Sequence, residues 1–127
     1  MMSAPSNPSP EQVVQRQLDA FNAKDLAALM ATYAENAEQF EHPSKLLASG
    51  AAEIRSRFEV RLKEPNLHAQ LVKRMVCGNT VIDQEIVTRT FPEGTGRIEL
   101  VAIYEVKSDQ IAKAWFISGA KKLDAKP

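Results

Sequence analysis

Cysteine is all but missing from this 127-residue chain: Cys77 stands alone, so no intrachain disulfide can form and no cysteine cluster can hold zinc or iron. Such a chain suits a reducing compartment. Histidine is nearly as scarce, with only His42 and His68. That leaves too few nitrogen and sulfur ligands for a dedicated transition-metal site, although carboxylates can still take a hard cation. Neither a metal nor an organic cofactor is expected. Excess charge is missing too, since 16 Lys and Arg face 16 Asp and Glu, and a balanced surface argues against a nucleic-acid partner, which needs concentrated positive charge. No apolar run approaches the roughly 20 residues of a membrane-spanning helix. The opening stretch Met1 to Pro10 is rich in Ser, Pro and Ala but lacks the basic start and apolar centre of a signal peptide. A cytoplasmic location with no membrane partner is the expectation. Catalytic signatures are wanting as well: there is no Gly-rich phosphate loop, no Gly-x-Ser-x-Gly elbow and no His-Glu-x-x-His.

What is present is an ordinary globular composition, 44% hydrophobic and 6% aromatic. A chain of this length fits one domain that buries roughly two-thirds of its unfolded surface. We place that domain at residues 9–122, with a flexible tail over 1–8 and a second tail over 123–127. Its first helix starts at Ser9-Pro10-Glu11-Gln12, a capping box with proline at the first helical position, and runs to about Ala23. Val13, Val14, Ala20 and Phe21 share one face, with Gln17 in its middle. Asp25 caps a second helix in which Leu26, Leu29, Met30 and Tyr33 recur at helical spacing. Residues 36–42 read as extended up to Pro43, which fixes His42 at a strand or loop end, and a short apolar piece follows at Leu46 to Ala48. A third helix spans about Ala51 to Glu64, stacking Ile54, Phe58 and Leu62 inward. Glu53 with Arg57, and Glu59 with Lys63, form outward pairs, so Arg55, Arg57, Arg61 and Lys63 read as part of a mixed-charge exterior.

The remainder reads as an antiparallel meander of strands at about Leu67 to Cys77, Val81 to Phe91, Arg97 to Lys107 and Ile111 to Ser118, with turns between them. Helices first and strands after is an α+β order. Along the third of these strands Ile98, Leu100, Ala102, Tyr104 and Val106 make one face, while Val101 and Ile103 sit between Glu99 and Glu105 on the other. Both faces carry apolar residues. One can pack on the helices, and a second copy of the sheet is the simplest cover for the other, so a homodimer through the sheet is expected.

Candidate site residues come from polar groups inside apolar faces. Gln17 interrupts the first helix, Gln84 shares a face with Ile82 and Ile86, and Tyr104 stands with Leu100 and Ala102. An unpartnered buried amide or hydroxyl costs on the order of 1–3 kcal/mol, so each must meet a core partner, a water or a ligand, and their convergence suggests a pocket. A satisfied core amide is an equally good account of Gln17 and Gln84, as an ordinary core aromatic is of Tyr104. His68 reads as a surface residue. Trp115 and Phe116 are adjacent and must point to opposite faces, the pocket taking one of them. Asp83 and Glu85 lie on the face opposite Gln84, which favours a solvated or dimer-facing pair over acid–base work.

The segments Asn22-Ala23-Lys24-Asp25-Leu26 and Tyr33-Ala34-Glu35-Asn36-Ala37, then Pro43 and Ser49-Gly50, resemble the opening of SnoaL-like and ketosteroid-isomerase-like proteins of the NTF2-like superfamily. Ile103-Tyr104-Glu105-Val106 and Ile111-Ala112-Lys113-Ala114-Trp115 are similar to that family's last two strands, so the resemblance covers about Ser9 to Lys122. It implies a cone-shaped α+β barrel, three helices packed on a curved, mostly antiparallel sheet. It also implies that Gln17, Tyr104 and His42 stand where ketosteroid isomerases carry a first-helix tyrosine, a protonated aspartate and the aspartate base; all three identities differ. A neutral imidazole at His42 can accept a proton near neutral pH while Tyr104 and Gln17 donate to a developing enolate. Phe58, Ile86, Phe116 or Trp115, and Gln84 would line the pocket. Two functions follow as expectations. One is a cofactor-independent isomerase or dehydratase acting on a small hydrophobic molecule, steroid-like or otherwise carbonyl-bearing. The other is a non-catalytic dimeric domain that binds a ligand or a protein through the same cavity.

Overall fold

Ser9 opens the first helix as its sequence dictates: its hydroxyl accepts from the Gln12 N–H at 3.1 Å, and the Gln12 side chain accepts from the Ser9 N–H at 2.8 Å. The computed structural model describes residues 7–124, so residues 1–6 of the expected tail, and 125–127, lie outside the described residues. Helix α1 (Pro10–Ala23) ends at Lys24, in the left-handed conformation, and Asp25 caps α2 (Leu26–Ala31) by accepting from the Ala28 N–H. The helical spacing carries α2 on to Tyr33, but the helix stops two residues sooner. Thr32 turns its hydroxyl onto the Leu29 carbonyl at 2.7 Å, and its own carbonyl accepts from the Ile111 N–H at 2.7 Å. Tyr33 is thereby recruited into β1 (Tyr33–Glu41), opposite Ile111. Sheet pairing has outcompeted a last helical turn of small propensity.

The apolar piece after Pro43 is a strand, β2 (Lys45–Ser49), antiparallel to β1. Helix α3 (Ala51–Arg61) is shorter than expected: its final bond runs from the Leu62 N–H to the Phe58 carbonyl, and Pro65 keeps residue 64 out of the helical region. Four strands follow as the expected meander, β3 (His68–Cys77), β4 (Thr80–Phe91), β5 (Gly94–Lys107) and β6 (Gln110–Leu123). The turn between β4 and β5 tightens to Pro92-Glu93. β6 runs beyond Ser118 to Leu123 because β5, starting earlier than its apolar pattern suggests, supplies partners through Gly96. A Cβ on Gly96 would sit 2.6 Å from the Lys122 carbonyl oxygen, so only glycine admits this close pairing.

The six strands lie in the order β2-β1-β6-β5-β4-β3, antiparallel except where β1 runs parallel to β6. The sheet is curved but not closed, leaving β2 and β3 as edges, and the three helices pack on one side of it. This is the expected α+β architecture. Val13 and Val14 of α1, Leu29 of α2 and Ile54 of α3 meet Val81 and Ile111 of the sheet, each at most 2% exposed. Burying side chains of this size contributes about 1.5–3 kcal/mol apiece. Among the described residues no helix is long and apolar enough to cross a membrane.

Two local features decide what the sheet shows to the helices. On β4 the inward residues are Val81, Asp83, Glu85 and Val87, while Ile82, Gln84 and Ile86 face away, so the expected assignment of the two faces is reversed. Each face carries two large aliphatic residues, and hydropathy therefore had no preference between them. On β3 a bulge at Val72 shifts the register between Leu71 and Lys73. Ala69 and Leu71 point inward before it, and Arg74 points inward after it, opposite Asp83. One extra residue has moved an arginine from the outer to the inner face.

Candidate functional site

Between the inner face of the sheet and helices α1 and α3 lies a cavity of about 730 Å³, within the range of roughly 300–1,000 Å³ of small-molecule sites. Its apolar wall includes Phe21, Phe58, Leu100 and Phe116. Phe58 is held edge-on to Phe21 at 6.3 Å and tilted against Tyr33 at 5.7 Å.

A chain of polar side chains runs along this interior. The Tyr104 hydroxyl donates to Gln17 Oε1 at 3.4 Å. Gln39, 1% exposed, donates from Nε2 to the Tyr33 phenol at 3.5 Å and accepts from Arg57 Nη1 through Oε1. Burial holds both phenols well above their usual titration range, with the carboxylate of Glu85 adding to the effect, so Tyr33 and Tyr104 remain hydrogen-bond donors at any physiological pH.

The carboxylates are disposed unequally. Asp83 is fully buried and takes both arms of Arg74, at 2.7 and 2.9 Å, while Arg74 Nη1 also donates to Gln15 Oε1 at 2.8 Å. This is a satisfied, two-pronged ion pair beneath the cavity, and neither partner lines it. Glu85, two residues along the same face, is 4% exposed and does line the cavity. No ion pair and no hydrogen bond reaches its carboxyl among the described residues. Burial, then the negative charge of Asp83, pushes its pKa from 4.5 up to about 7, against a smaller opposing pull from Arg74. A carboxyl titrating there exchanges a proton readily at neutral pH.

Helix α3 contributes Arg57 and Arg61 to the lining, and Glu64 and Arg89 join them. The reading of the α3 arginines as exterior is corrected here for these two. Glu53 turns back to accept from the Ser49 N–H at 2.8 Å, and Arg55 pairs with Glu59, which frees Arg57 to swing inward.

The structure brings together Gln17, Tyr104, Phe58 and Phe116, all cavity-lining. It does not bring in the others. His42 is exposed at the β1–β2 turn, joined to Pro43 by a cis peptide, and does not line the cavity. Gln84 and Ile86 sit on the outer face of β4. Trp115 also faces outward, stacked on Phe40 at 5.8 Å, which settles that Phe116 is the inward member of the pair. His68 is exposed, as expected. Sequence reasoning missed Glu85 and Arg57. The available signal was parity: Val81 and Val87 flank Asp83 and Glu85 on the same face, and Arg74 offers a counter-charge across the strand. Among the described residues no cluster of three or more His, Cys, Asp or Glu could hold a metal ion.

Solved structures share this fold. An uncharacterized cystatin fold protein from Novosphingobium aromaticivorans superposes with a TM-score of 0.80 at 22% identity, covering 87% of this chain and 98% of its own. An LEH-like epoxide hydrolase from M. tuberculosis gives 0.77 at 10% identity, over 91% of this chain and 86% of its own. A protein of ketosteroid isomerase-like fold from Catenulispora acidiphila, in complex with trimethylamine, gives 0.71 at 14% identity, over 86% and 85%. At such identities the likeness is one of fold. No curated protein matches the sequence. The model of the SnoaL-like domain family matches residues 14–114, most of the folded core just described, and the chain belongs to that family.

Proposed function

We propose that this protein is a cofactor-independent acid–base catalyst of the isomerase or dehydratase kind, acting on a small, largely apolar carbonyl compound, with Glu85 as the proton-transferring group. One observation carries the reading: an unpaired carboxyl, 4% exposed and titrating at about 7, opens into a cavity of about 730 Å³ that also holds a protonated phenol. In the reaction the Glu85 carboxylate takes a proton from the carbon next to the substrate carbonyl. The Tyr104 hydroxyl donates to the oxygen on which negative charge develops. Its bond to Gln17 is 3.4 Å long, beyond the usual range of roughly 2.5–3.0 Å for O–H···O, so it is given up at little cost. Glu85 then returns the proton to another carbon, or passes it to a leaving hydroxyl. Phe58 and Phe116 exclude water around the developing charge. Isomerase-like and epoxide-hydrolase neighbours of the same fold are in keeping with such chemistry.

The same reading keeps the homodimer. The outer face of the sheet presents Trp115, Ile103 and Ile82 in one row across β6, β5 and β4, with Ile117 39% exposed beside them. The competing reading, a non-catalytic binding domain, predicts ligand capture without proton exchange. The test is deuterium exchange next to the carbonyl in a panel of apolar ketones, followed by proton NMR in D2O. Exchange that Glu85→Gln abolishes supports catalysis. Binding with no exchange in either protein supports the alternative, and exchange unchanged in the variant removes Glu85 from the mechanism.

A further inference from the structure

Arg57 does a different job from the other arginines around the cavity. Arg61 and Arg89 both give their charge to Glu64, at 3.2 Å each, and the Glu64 carboxyl additionally accepts from the Thr90 N–H at 3.2 Å. That carboxylate is saturated. Arg74 is spent on Asp83. Arg57, half-buried on α3, has no carboxylate partner among the described residues; only its Nη1 is used, on the neutral oxygen of Gln39. Burial and the neighbouring charge of Arg61 both work against its own positive charge. Glu85 is not its counter-ion: no ion pair or hydrogen bond joins the two among the described residues, and the charges that act on Glu85 are those of Asp83 and Arg74. The other lining carboxylate, Glu41, is exposed and makes no ion pair with Arg57. The cavity therefore has a cation on α3 that nothing in the described protein neutralises, an apolar wall, and a carboxyl on β4.

We propose that the cavity takes an organic carboxylate, an apolar ring or chain whose carboxylate is bound by the free edge of the Arg57 guanidinium and whose body lies against Phe21, Phe58 and Leu100. The inference rests on the proposed function only for what happens at Glu85; the binding step stands without it. A guanidinium presents parallel N–H donors that match a carboxylate, whereas a wall of aromatic and aliphatic side chains offers a free phosphate nothing to bind. Arg61 and Arg89 share Glu64, so among the lining arginines Arg57 is the one without an ion-pair partner among the described residues. An anionic ligand supplies that partner.

Isothermal titration calorimetry with 2-naphthoate, its neutral isostere 2-naphthamide and inorganic phosphate tests this on the full chain. The expected result is that the wild type binds naphthoate about tenfold to a hundredfold more tightly than naphthamide, the effect of one charge-assisted hydrogen-bonding group, and does not bind phosphate. Arg57→Gln loses that preference while its affinity for naphthamide is unchanged, which also shows that the cavity has survived; Arg57→Lys, which keeps the charge, retains part of it. Equal binding of the two naphthalenes by the wild type, or a preference that persists in Arg57→Gln, overturns the proposal. Phosphate binding as tight as naphthoate binding overturns the assignment to organic acids. Failure of ketone proton exchange alongside a naphthoate preference would remove the catalytic reading alone.

Discussion

Replacing Glu85 by glutamine should make this protein more stable above neutral pH. The carboxyl is raised from 4.5 to about 7 chiefly by burial, which corresponds to about 3 kcal/mol between its two protonation states. A carboxyl whose folded pKa lies above its unfolded value favours the native state fully below the unfolded value, and that contribution is lost as pH rises through the folded one. From about pH 4.5 to about pH 7 the unfolded chain has released a proton that the native protein still holds, so ionising Glu85 opposes folding throughout that window. Glutamine keeps the shape and removes the titration. Urea denaturation followed by the fluorescence of Trp115, the single tryptophan, should give nearly equal stabilities for the two proteins at about pH 5, and an advantage to Glu85→Gln approaching 3 kcal/mol at about pH 8. That is a large share of the roughly 5–15 kcal/mol that holds a typical domain together. A group that costs stability and survives in a cavity is what a site maintained for function looks like. Parallel stability curves across this pH range, or a variant weaker than the wild type at the alkaline end, would show that the carboxyl is solvated or paired and that the cavity does not perturb it.

Three further outcomes follow from particular contacts. Arg74→Met leaves the fully buried Asp83 carboxylate without its counter-charge and should cost roughly 3–5 kcal/mol in the same denaturation assay; a loss under about 1 kcal/mol would mean the pair is solvated. Tyr104→Phe removes the phenol proton while keeping the ring that packs edge-on against Phe116 at 6.4 Å. It should slow exchange at the carbon next to the ketone by about a hundredfold, with binding little changed, as expected of a lost oxyanion donor. Ile117→Lys places a charge in the outer apolar face and should turn a dimer into a monomer in sedimentation velocity; a wild type that already sediments as a monomer would remove that part of the reading.

The helical half of the fold was legible because its signals are local. The Ser9 box, the Asp25 cap and the Ile54, Phe58, Leu62 stripe each specify their structure within a few residues, and Gln17 could be placed at the cavity from the face it interrupts. The antiparallel order of the last four strands also followed from turn spacing, whereas the parallel placement of β1 beside β6 joins distant segments and carries no local signal. What could not be read depends on relations between distant segments. The orientation of β4 turns on which of two equally apolar faces meets α1, and the inward turn of Arg74 turns on a bulge that leaves no mark in the alternation of β3. Glu53, at helical spacing from Arg57, offers a pair that points Arg57 to the outer surface; in the fold that carboxylate is taken by the Ser49 N–H. The family resemblance puts His42 at the site, but the turn that it occupies before Pro43 carries it to the surface rather than into the cavity.

The account comes down to whether Glu85 behaves as a buried acid poised at neutral pH. Carbon-13 NMR titration of its side-chain carboxyl, assigned by comparison with Glu85→Gln, measures that directly. A midpoint near 7 is the expected result; a midpoint near 4.5, the ordinary value for an exposed glutamate, would contradict it.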